Sequence, residues 1–167
     1  MGPFTLRPTG PVSVMGGLER LLPLPAELVS GVITDAADRC SGVEICVIEE
    51  AVTVNPQNRV FGFARTVSVV AVEGNDENLE EGLRFFTGLK GHEILVVGNP
   101  NRFAYFGEMM CRLGQNYGVG GAVVLGPSRD SHFVRTHKFP LACQGTTPVD
   151  IKGRGRVQDF DNPVFFG

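Results

Sequence analysis

The chain has 167 residues, of which 43% are hydrophobic and 20% are charged, and these values are typical of one globular domain that buries a sizeable core. Its formal net charge of −3 gives no basic surface for nucleic acid or an anionic membrane, and no apolar run approaches the roughly 18 residues of a membrane span. The N-terminus lacks the charged and then apolar pattern of a signal peptide, so we expect a cytoplasmic protein that binds neither nucleic acid nor membrane.

An irregular segment and then a helix are predicted at the start of the chain. Residues 1–24 are rich in proline and glycine and favour an irregular arm. Pro25 suits the first turn of a helix, and Gly42 is a stop signal for it. The apolar face of this helix would consist of Leu28, Val32 and Ala36.

Strands and a second helix are expected next. Val43–Glu50 is strand-like, and Phe61–Val72 is rich in β-branched residues, which predicts one long or two short strands. Asp76 can cap a helix that runs through Leu79 and Leu83 to Phe86. Gly88 or Gly91 would end this helix. We expect the strands of this half to be antiparallel or mixed.

The second half of the chain alternates strands and helices. Its predicted strands are Glu93–Gly98, Ala122–Leu125 and Phe139–Cys143, and the first is nearly all apolar, as in a buried parallel sheet. Helices are predicted from about Gly107 to Tyr117 and, as a short stretch, after Asp130. This order predicts right-handed parallel crossovers, followed by a tail with one or two edge strands. We therefore predict an α/β fold in a single domain over residues 1–167.

Arg129 and Asp130 follow the predicted strand Ala122–Leu125, at the kind of strand end where open α/β sheets bind ligands. The helix that begins at Gly107 starts 22 residues before Arg129. That separation is about what a three-turn helix, a turn, a five-residue strand and a short loop require. Because a helix start and the end of the next parallel strand meet at the same sheet edge, we expect the two segments to converge.

Each part of this group has a chemical role open to it. Free N–H groups at the start of the helix can hold an anion, and they belong to Gly107, Glu108, Met109 and Met110. Arg129 can clamp a planar carboxylate through two hydrogen bonds. Asp130 is a hard oxygen ligand suited to Mg²⁺ or Mn²⁺, and Glu108 could hold one of the waters of that ion.

Simpler interpretations of the same residues stay open. An Arg-Asp pair after a strand is also common as a surface ion pair, or because the aspartate caps a helix. Glu108 would favour the helix dipole at this position whatever else it does. The glycines of residues 118–121 precede a strand, the wrong order for a dinucleotide site, and indicate a structural turn.

Cysteine and histidine positions give little support for other sites. The cysteines at 40, 46, 111 and 143 form no CxxC pair and no metal-ligand spacing, so we expect free, mostly buried thiols. His132 and His137 are five residues apart and would not share a helix face, which argues against a histidine-bound transition metal.

The order of these segments resembles the RraA-like family, which includes 4-hydroxy-4-methyl-2-oxoglutarate/oxaloacetate aldolases and regulators of ribonuclease E activity. The resemblance runs from about residue 25 to the C-terminus. The segments that carry it are Thr34–Ala36, Gly62–Val67, Gly91–Val97, Gly107–Met110, Gly126–Asp130, Phe139-Pro140 and Gly145–Pro148.

The resemblance implies a β/β/α swivelling fold with a parallel βαβ core, and a homotrimer or hexamer with sites at subunit boundaries. It also implies that the amides of residues 107–110 hold a pyruvyl group, that Arg129 binds it and that Asp130 ligates a divalent metal. Such enzymes cleave 4-hydroxy-2-oxo acids to pyruvate and commonly decarboxylate oxaloacetate. Both reactions pass through pyruvate enolate, whose charge a metal ion and Arg129 would stabilise, so a lyase is the leading hypothesis.

The chain departs from the family pattern in two places. Asn99-Pro100-Asn101 stands where the family usually places an acidic residue. The chain also ends at Gly167, where members usually continue through further strands that often carry an acid for a neighbouring site. Either the C-terminus is shorter than the family norm or the site is incomplete.

Two other functions compete with the lyase. The first is a non-catalytic regulator that binds a ribonuclease or another protein partner, for which the negative charge would suit a basic RNA-binding segment. The second is a methyltransferase, which the sequence does not support because no glycine-rich loop follows a first strand.

Overall fold

The computed structural model describes residues 4–6, 24–48, 50–74, 79–91 and 93–166. Its contacts divide the chain into two compact units, one of residues 10–49 and the other of residues 1–9 together with 50–167. Most of the predicted irregular arm lies outside the described residues, and the described part includes a short strand, β1 (Phe4–Leu6). A single domain over the whole chain stays a prediction.

The unit of residues 10–49 contains the helix α1 (Ser30–Ala37). It begins five residues later than predicted, because the carbonyl of Pro25 accepts the N–H of Leu28 in a turn and Val29 is extended. No residue of α1 is buried, and Val32 on its predicted apolar face is 48% exposed. Within the described part of the chain, this helix therefore has no core face.

The strand predicted over Val43–Glu50 is wrong. Residues 43–48 and 50 are described without strand structure, and no described strand pairs with them. Val43, Ile45 and Val47 alternate as they would in a strand, but all three are exposed. A strand needs a neighbour to accept its backbone hydrogen bonds, so the alternation alone did not produce one.

A six-stranded mixed sheet forms the centre of the other unit, in the order β2-β6-β5-β4-β3-β7. Its strands are β2 (Val52–Thr53), β3 (Phe63–Ala71), β4 (Glu93–Gly98), β5 (Ala122–Leu125), β6 (Leu141–Cys143) and β7 (Gly155–Phe160). β3 to β6 run parallel, while β2 and β7 pair antiparallel at the edges. A last strand, β8 (Val164–Phe166), pairs antiparallel with β1. The predicted α/β class with a parallel βαβ core is confirmed.

Three helices accompany this sheet: α2 (Leu79–Thr87), α3 (Glu108–Tyr117) and α4 (Ser131–Thr136). The predicted cap of α2, Asp76, lies outside the described residues. α3 ends at Tyr117 and is capped by Gly118, whose φ of 70° is the left-handed conformation that glycine adopts without strain. None of the helices in the described ranges has the length and apolarity that crossing a bilayer requires.

The core packs on the sheet and fixes the position of Phe106, close to the start of α3. All six residues of β4 are buried, as expected for a central parallel strand. The ring of Phe106 packs edge-on against Phe86, with centroids 5.9 Å apart, and stacks on Phe139 at 5.5 Å. These contacts hold Phe106 fully buried, directly before Gly107, the N-terminal cap of α3.

Candidate functional site

The loop after β4 is built around the buried side chain of Asn99. Its Nδ2 donates to the carbonyl oxygen of Phe103 at 2.7 Å, and its Oδ1 accepts the backbone N–H and the Nδ2 of Asn101. The backbone carbonyl oxygen of Asn99 lies so close to Gly126 that a Cβ on residue 126 would collide with it. A carboxylate could not make the Nδ2 bond. The asparagine at this departure from the family pattern therefore organises the loop that leads to α3.

The segment before Arg129 is joined to the segment before Gly107. Ser128 forms a parallel bridge with Phe106, and its Oγ donates to the carbonyl oxygen of Phe106 at 3.0 Å. The N–H of Arg129 donates to the same oxygen at 2.9 Å. Ser128 and Phe106 are fully buried. The structure thus brings together the two segments whose convergence the spacing predicted.

Asp130 faces the start of α3. Its Oδ2 accepts the N–H of Glu108 at 3.0 Å and lies 3.3 Å from Nε of Arg129. Although Asp130 precedes α4, its side chain makes no capping bond to that helix. Gly107 permits this arrangement, since a Cβ there would lie 2.6 Å from Asp130 Oδ2 and 2.7 Å from Arg129 Cγ. The carboxylate therefore caps a neighbouring helix.

Arg129 also contacts Asp150, a residue that the sequence analysis did not single out. Nη1 of Arg129 lies 3.0 Å from Oδ2 of Asp150, and each side chain is about one-third exposed. Asp150 comes two residues after the segment Gly145–Pro148 and bridges Ala104 in the loop before α3. Its position just after a segment that carries the family resemblance is the sequence feature that could have identified Asp150 as a site residue.

In the first turn of α3, the backbone amides and the carboxylate of Glu108 have different surroundings. Among the described residues, the N–H groups of Met109 and Met110 have no acceptor, while that of Cys111 donates to Gly107. The Glu108 carboxylate is 2.9 Å from Nε and 2.8 Å from Nη2 of Arg112. The candidate residues Gly107, Glu108, Arg129 and Asp130 thus meet, but the Glu108 carboxylate pairs along its own helix.

A pocket of about 240 Å³ opens beside this group. It is lined by Leu79, Leu83, Tyr105, Gly107, Met109, Met110, Arg129, Asp150, Ile151 and Lys152. Tyr105, Asp150 and Lys152 are polar residues that the sequence analysis missed. Burial raises the pKa of the Tyr105 hydroxyl well above its ordinary value, so this group stays protonated.

The described part of the site offers few donors for a divalent metal ion. In the described part of the chain, no group of three histidine, cysteine or acidic side chains could hold an ion. Asp130 has one oxygen, Oδ1, with no protein partner among those residues, and its side chain is 39% exposed. Mg²⁺ commonly keeps several waters and takes only one or two carboxylates from a protein. The site therefore fits a water-rich Mg²⁺ or Mn²⁺ ion held by Asp130.

Comparison with known proteins gives a family and several similar structures. The model of the RraA-like family, described as Aldolase/RraA, matches residues 31–167. A Streptomyces coelicolor protein described as RraAS2, an unusual member of the RNase ES inhibitor RraA family, is 27% identical with a TM-score of 0.69. The match covers 95% of this chain and 75% of that protein. No curated protein matches the chain.

Two more distant structures share the fold. An uncharacterised protein of Pseudomonas syringae pv. tomato is 19% identical with a TM-score of 0.72 over 90% of this chain, which spans only 65% of that protein. The RNA-processing inhibitor RraA of Thermus thermophilis is 20% identical with a TM-score of 0.59, covering 80% of this chain and 90% of that one. These likenesses confirm the expected RraA-like fold.

Proposed function

The chain belongs to the RraA-like family, and on this premise we propose that it is a divalent-metal-dependent lyase acting on 2-oxo acids. The reactions are retro-aldol cleavage of a 4-hydroxy-2-oxo acid to pyruvate and decarboxylation of oxaloacetate. In both, the bond to C4 breaks and its electron pair passes to the C2 carbonyl as an enolate. The family name covers aldolases as well as RraA proteins, so the choice between them depends on the site.

One observation carries the proposal: the Arg129-Asp130 pair lies against the start of α3, and Arg129 and Gly107 line a pocket. The 3.0 Å bond from the Glu108 N–H to Asp130 Oδ2 joins the two elements. Gly107 allows both side chains to approach the backbone this closely, since a Cβ there would strike each of them. This arrangement supports a site that would stabilise an enolate, with the pocket as the proposed space for the substrate.

The proposed roles follow from the positions of these groups. The amides of Met109 and Met110 point from a helix N-terminus and suit the carboxylate and keto oxygens of the substrate. Arg129 stabilises the enolate charge, and Asp150 and Asp130 hold its guanidinium in place. A water held by the guanidinium of Arg129 and the open Oδ1 of Asp130 is the proposed source of the proton that the enolate carbon takes up.

A divalent cation would be held by Asp130, with water as its other ligands. When bound, it supplies Lewis acidity toward the keto oxygen. The N–H of Glu108 donates a hydrogen bond to Oδ2 of Asp130 and so fixes the plane of the carboxylate. The direction of the other oxygen, Oδ1, is fixed with it. The chain thus orients its single proposed metal ligand through a backbone bond.

The test is pyruvate formation from oxaloacetate and from a 4-hydroxy-2-oxo acid, with Mg²⁺ or Mn²⁺. Rates are taken above those of the same metal without protein, because oxaloacetate also decarboxylates in solution. We expect Asp130→Ala and Arg129→Met each to lower kcat/KM at least about 100-fold, the loss typical of removing a charge-stabilising group. EDTA should abolish the activity.

Arg84→Met is the matched control, since Arg84 forms an exposed pair with Glu80 and does not line the pocket. Its activity should equal that of the parent protein. Turnover that is indifferent to EDTA, or unchanged in Asp130→Ala, would rule out this mechanism.

A second candidate is a regulator that binds a ribonuclease. It is favoured by the 27% identity to a protein described as a member of an RNase ES inhibitor family. Pull-down of a ribonuclease at physiological salt, together with no pyruvate release from either substrate, would support it. Robust turnover without a captured partner would dismiss it.

A further inference from the structure

Tyr105 has a buried hydroxyl that meets no hydrogen-bond partner among the described residues. Its side chain is only 8% exposed. Because a buried polar group without a partner is unfavourable, such a group in a folded protein commonly contacts a water molecule or a ligand. Tyr105 also lines the pocket beside Arg129, so a partner for its hydroxyl is expected in that pocket.

The hydroxyl lies at the wall of the pocket that α2 forms. A Cβ on Gly82 of α2 would lie 2.6 Å from the hydroxyl oxygen, so the glycine leaves room for it. Leu79 and Leu83, on either side of Gly82, line the pocket with apolar side chains. The hydroxyl therefore offers a hydrogen-bond donor beside an apolar wall, whereas Arg129 lines the pocket next to the start of α3.

This position suits the part of the substrate that departs in the reaction. In the proposed function, the carboxylate and keto oxygens lie at Arg129 and the start of α3. The rest of each substrate is C4, which carries a hydroxyl in a 4-hydroxy-2-oxo acid and is a carboxylate carbon in oxaloacetate. A protonated phenol can donate a hydrogen bond to an oxygen of either kind.

We infer that Tyr105 binds the oxygen on C4 of the substrate, as a hydrogen-bond donor that keeps its own proton throughout the reaction. This inference rests on the proposed function for the position of the head group. It adds a residue that contacts the departing carbon, for which the roles of Arg129, Asp130 and the α3 amides provide no partner.

The proposed bond has opposite effects on the two reactions. In retro-aldol cleavage, the C3–C4 bond breaks, its electron pair forms the enolate, and the proton of the 4-hydroxyl passes to solvent as C4 becomes a carbonyl carbon. C3 then takes up a proton from the water at Arg129. Because the C4 oxygen gains negative charge as its proton leaves, the bond from Tyr105 strengthens in the transition state. In decarboxylation, the C4 carboxylate loses its charge as CO₂ forms, so the same bond weakens.

Tyr105→Phe removes the donor and keeps the ring. With a 4-hydroxy-2-oxo acid, kcat should fall about tenfold, because the lost bond is strongest in the transition state. With oxaloacetate, KM should rise about tenfold without a fall in kcat, because the lost bond belongs to the bound substrate. Tyr117→Phe is the matched control, since Tyr117 is 58% exposed and does not line the pocket, and its constants should equal those of the parent protein.

Binding of lactate and malate to the full chain with Mg²⁺ tests the contact without turnover. The two acids share a carboxylate and a 2-hydroxyl, and malate adds a carboxylate at C4. Neither is cleaved, because cleavage needs a C2 keto group to accept the electron pair. Titration calorimetry should show that Tyr105→Phe weakens the binding of malate about tenfold. An unchanged Kd of lactate shows that the variant keeps its folded site.

Lys152→Met is the comparison for this binding test, because Lys152 is an exposed donor that lines the same pocket. The inference is overturned if Lys152→Met removes the preference for malate and Tyr105→Phe does not. A Tyr105 hydroxyl that holds only a water molecule would likewise leave the affinity for malate unchanged in Tyr105→Phe.

The ring of Tyr105 also provides a spectroscopic signal for the contact. The chain has two tyrosines and no tryptophan, so Tyr105 is the only tyrosine of the Tyr117→Phe protein. A phenol that donates a hydrogen bond absorbs at a longer wavelength. Malate should therefore shift the near-ultraviolet absorption of this variant to longer wavelength, and lactate should not.

Failure of the inference and failure of the proposed function give different results. Turnover of both substrates with parent-like constants in Tyr105→Phe would overturn the inference alone. A shift specific to malate, without pyruvate release from either substrate, would support the contact and reject the lyase. Absence of both the shift and the turnover would overturn both.

Discussion

Arg65 holds together three segments of the larger unit. Its Nε and Nη2 donate to the two carboxylate oxygens of Asp161 at 2.7 Å each, and its Nη1 lies 3.2 Å from Oε1 of Glu93. The hydrogen bonds to Asp161 raise the pKa of Arg65 above its ordinary value, which keeps the guanidinium charged. Glu93 is only 7% exposed and otherwise accepts the N–H of Lys90. This arginine, from a segment that carries the family resemblance, thus has a structural role.

Arg65→Met should lower the free energy of unfolding by roughly 2–3 kcal/mol, because it leaves the nearly buried Glu93 carboxylate without its cation. Urea denaturation measures the change. The control is Arg84→Met, which breaks an exposed pair with Glu80 and should cost less than about 0.5 kcal/mol. Adding Glu93→Gln to Arg65→Met should recover part of the loss. Equal losses in the two single variants would contradict this account.

Tyr105 makes stability depend on alkaline pH. Burial raises the pKa of its hydroxyl above the ordinary 10.0, so the unfolded chain releases this proton first as the pH rises. The contribution of Tyr105 to the free energy of unfolding is therefore fully present below about pH 10. Above that pH it falls by about 1.4 kcal/mol per pH unit. Tyr105→Phe lacks this dependence. The difference in unfolding free energy between the two proteins should be constant from pH 7 to 9 and then shift in favour of the variant. A constant difference up to pH 11 would refute it.

Two helices contain glycines whose replacement by alanine should have opposite effects. Alanine favours a helix over glycine by about 1 kcal/mol. At Gly114 in α3, however, a Cβ would lie 2.5 Å from a ring carbon of Phe139 and 3.0 Å from one of Phe86. This overlap with two buried rings outweighs the propensity, so Gly114→Ala should destabilise the protein by roughly 1–2 kcal/mol.

Gly31 in α1 is the matched position, because a Cβ there would meet no atom within 4 Å. Gly31→Ala should therefore leave stability unchanged or raise it by up to about 1 kcal/mol. Thermal unfolding followed by circular dichroism measures both variants. The packing argument fails if Gly114→Ala is as stable as the parent protein.

The elements that the sequence predicted well are those whose own residues form the core. β4 and β5 have the predicted bounds, because a central parallel strand is a short apolar run that is buried on both faces. The strand expected over Val43–Glu50 failed for the opposite reason. Its alternating pattern describes a possible strand, whereas the presence of a partner to pair with depends on the rest of the fold.

In the whole molecule, some residues of the candidate site could likewise be predicted from the local sequence, and others could not. The approach of Arg129 to Gly107 was predictable, since the length of chain between a helix start and the next strand end is set by local geometry. Tyr105, Asp150 and Lys152 were not predictable. Asp150 reaches the site through its bridge to Ala104, 46 residues earlier, and no local pattern encodes such a pairing.

Exposed apolar side chains in the unit of residues 10–49 suggest how whole chains associate. Val29, Val32 and Ile33 in and beside α1 are 41–52% exposed, and the alternating Val43, Ile45 and Val47 are also exposed. Exposed apolar surface often marks a protein–protein interface, and the family resemblance implies a homotrimer or hexamer. We expect the full chain to have a solution mass about three or six times its own 18.0 kDa.

Ile33→Asp tests this assembly, because a charge placed in an apolar interface is costly to bury. Light scattering after size-exclusion chromatography should show a lower mass for this variant and unchanged helical content. Val52→Asp introduces the same charge at an exposed valine of the other unit and should keep the parent mass. If the parent protein is monomeric, the exposed side chains do not serve self-association. If Val52→Asp dissociates the assembly and Ile33→Asp does not, the interface lies on the sheet-containing unit, and the smaller unit has another role.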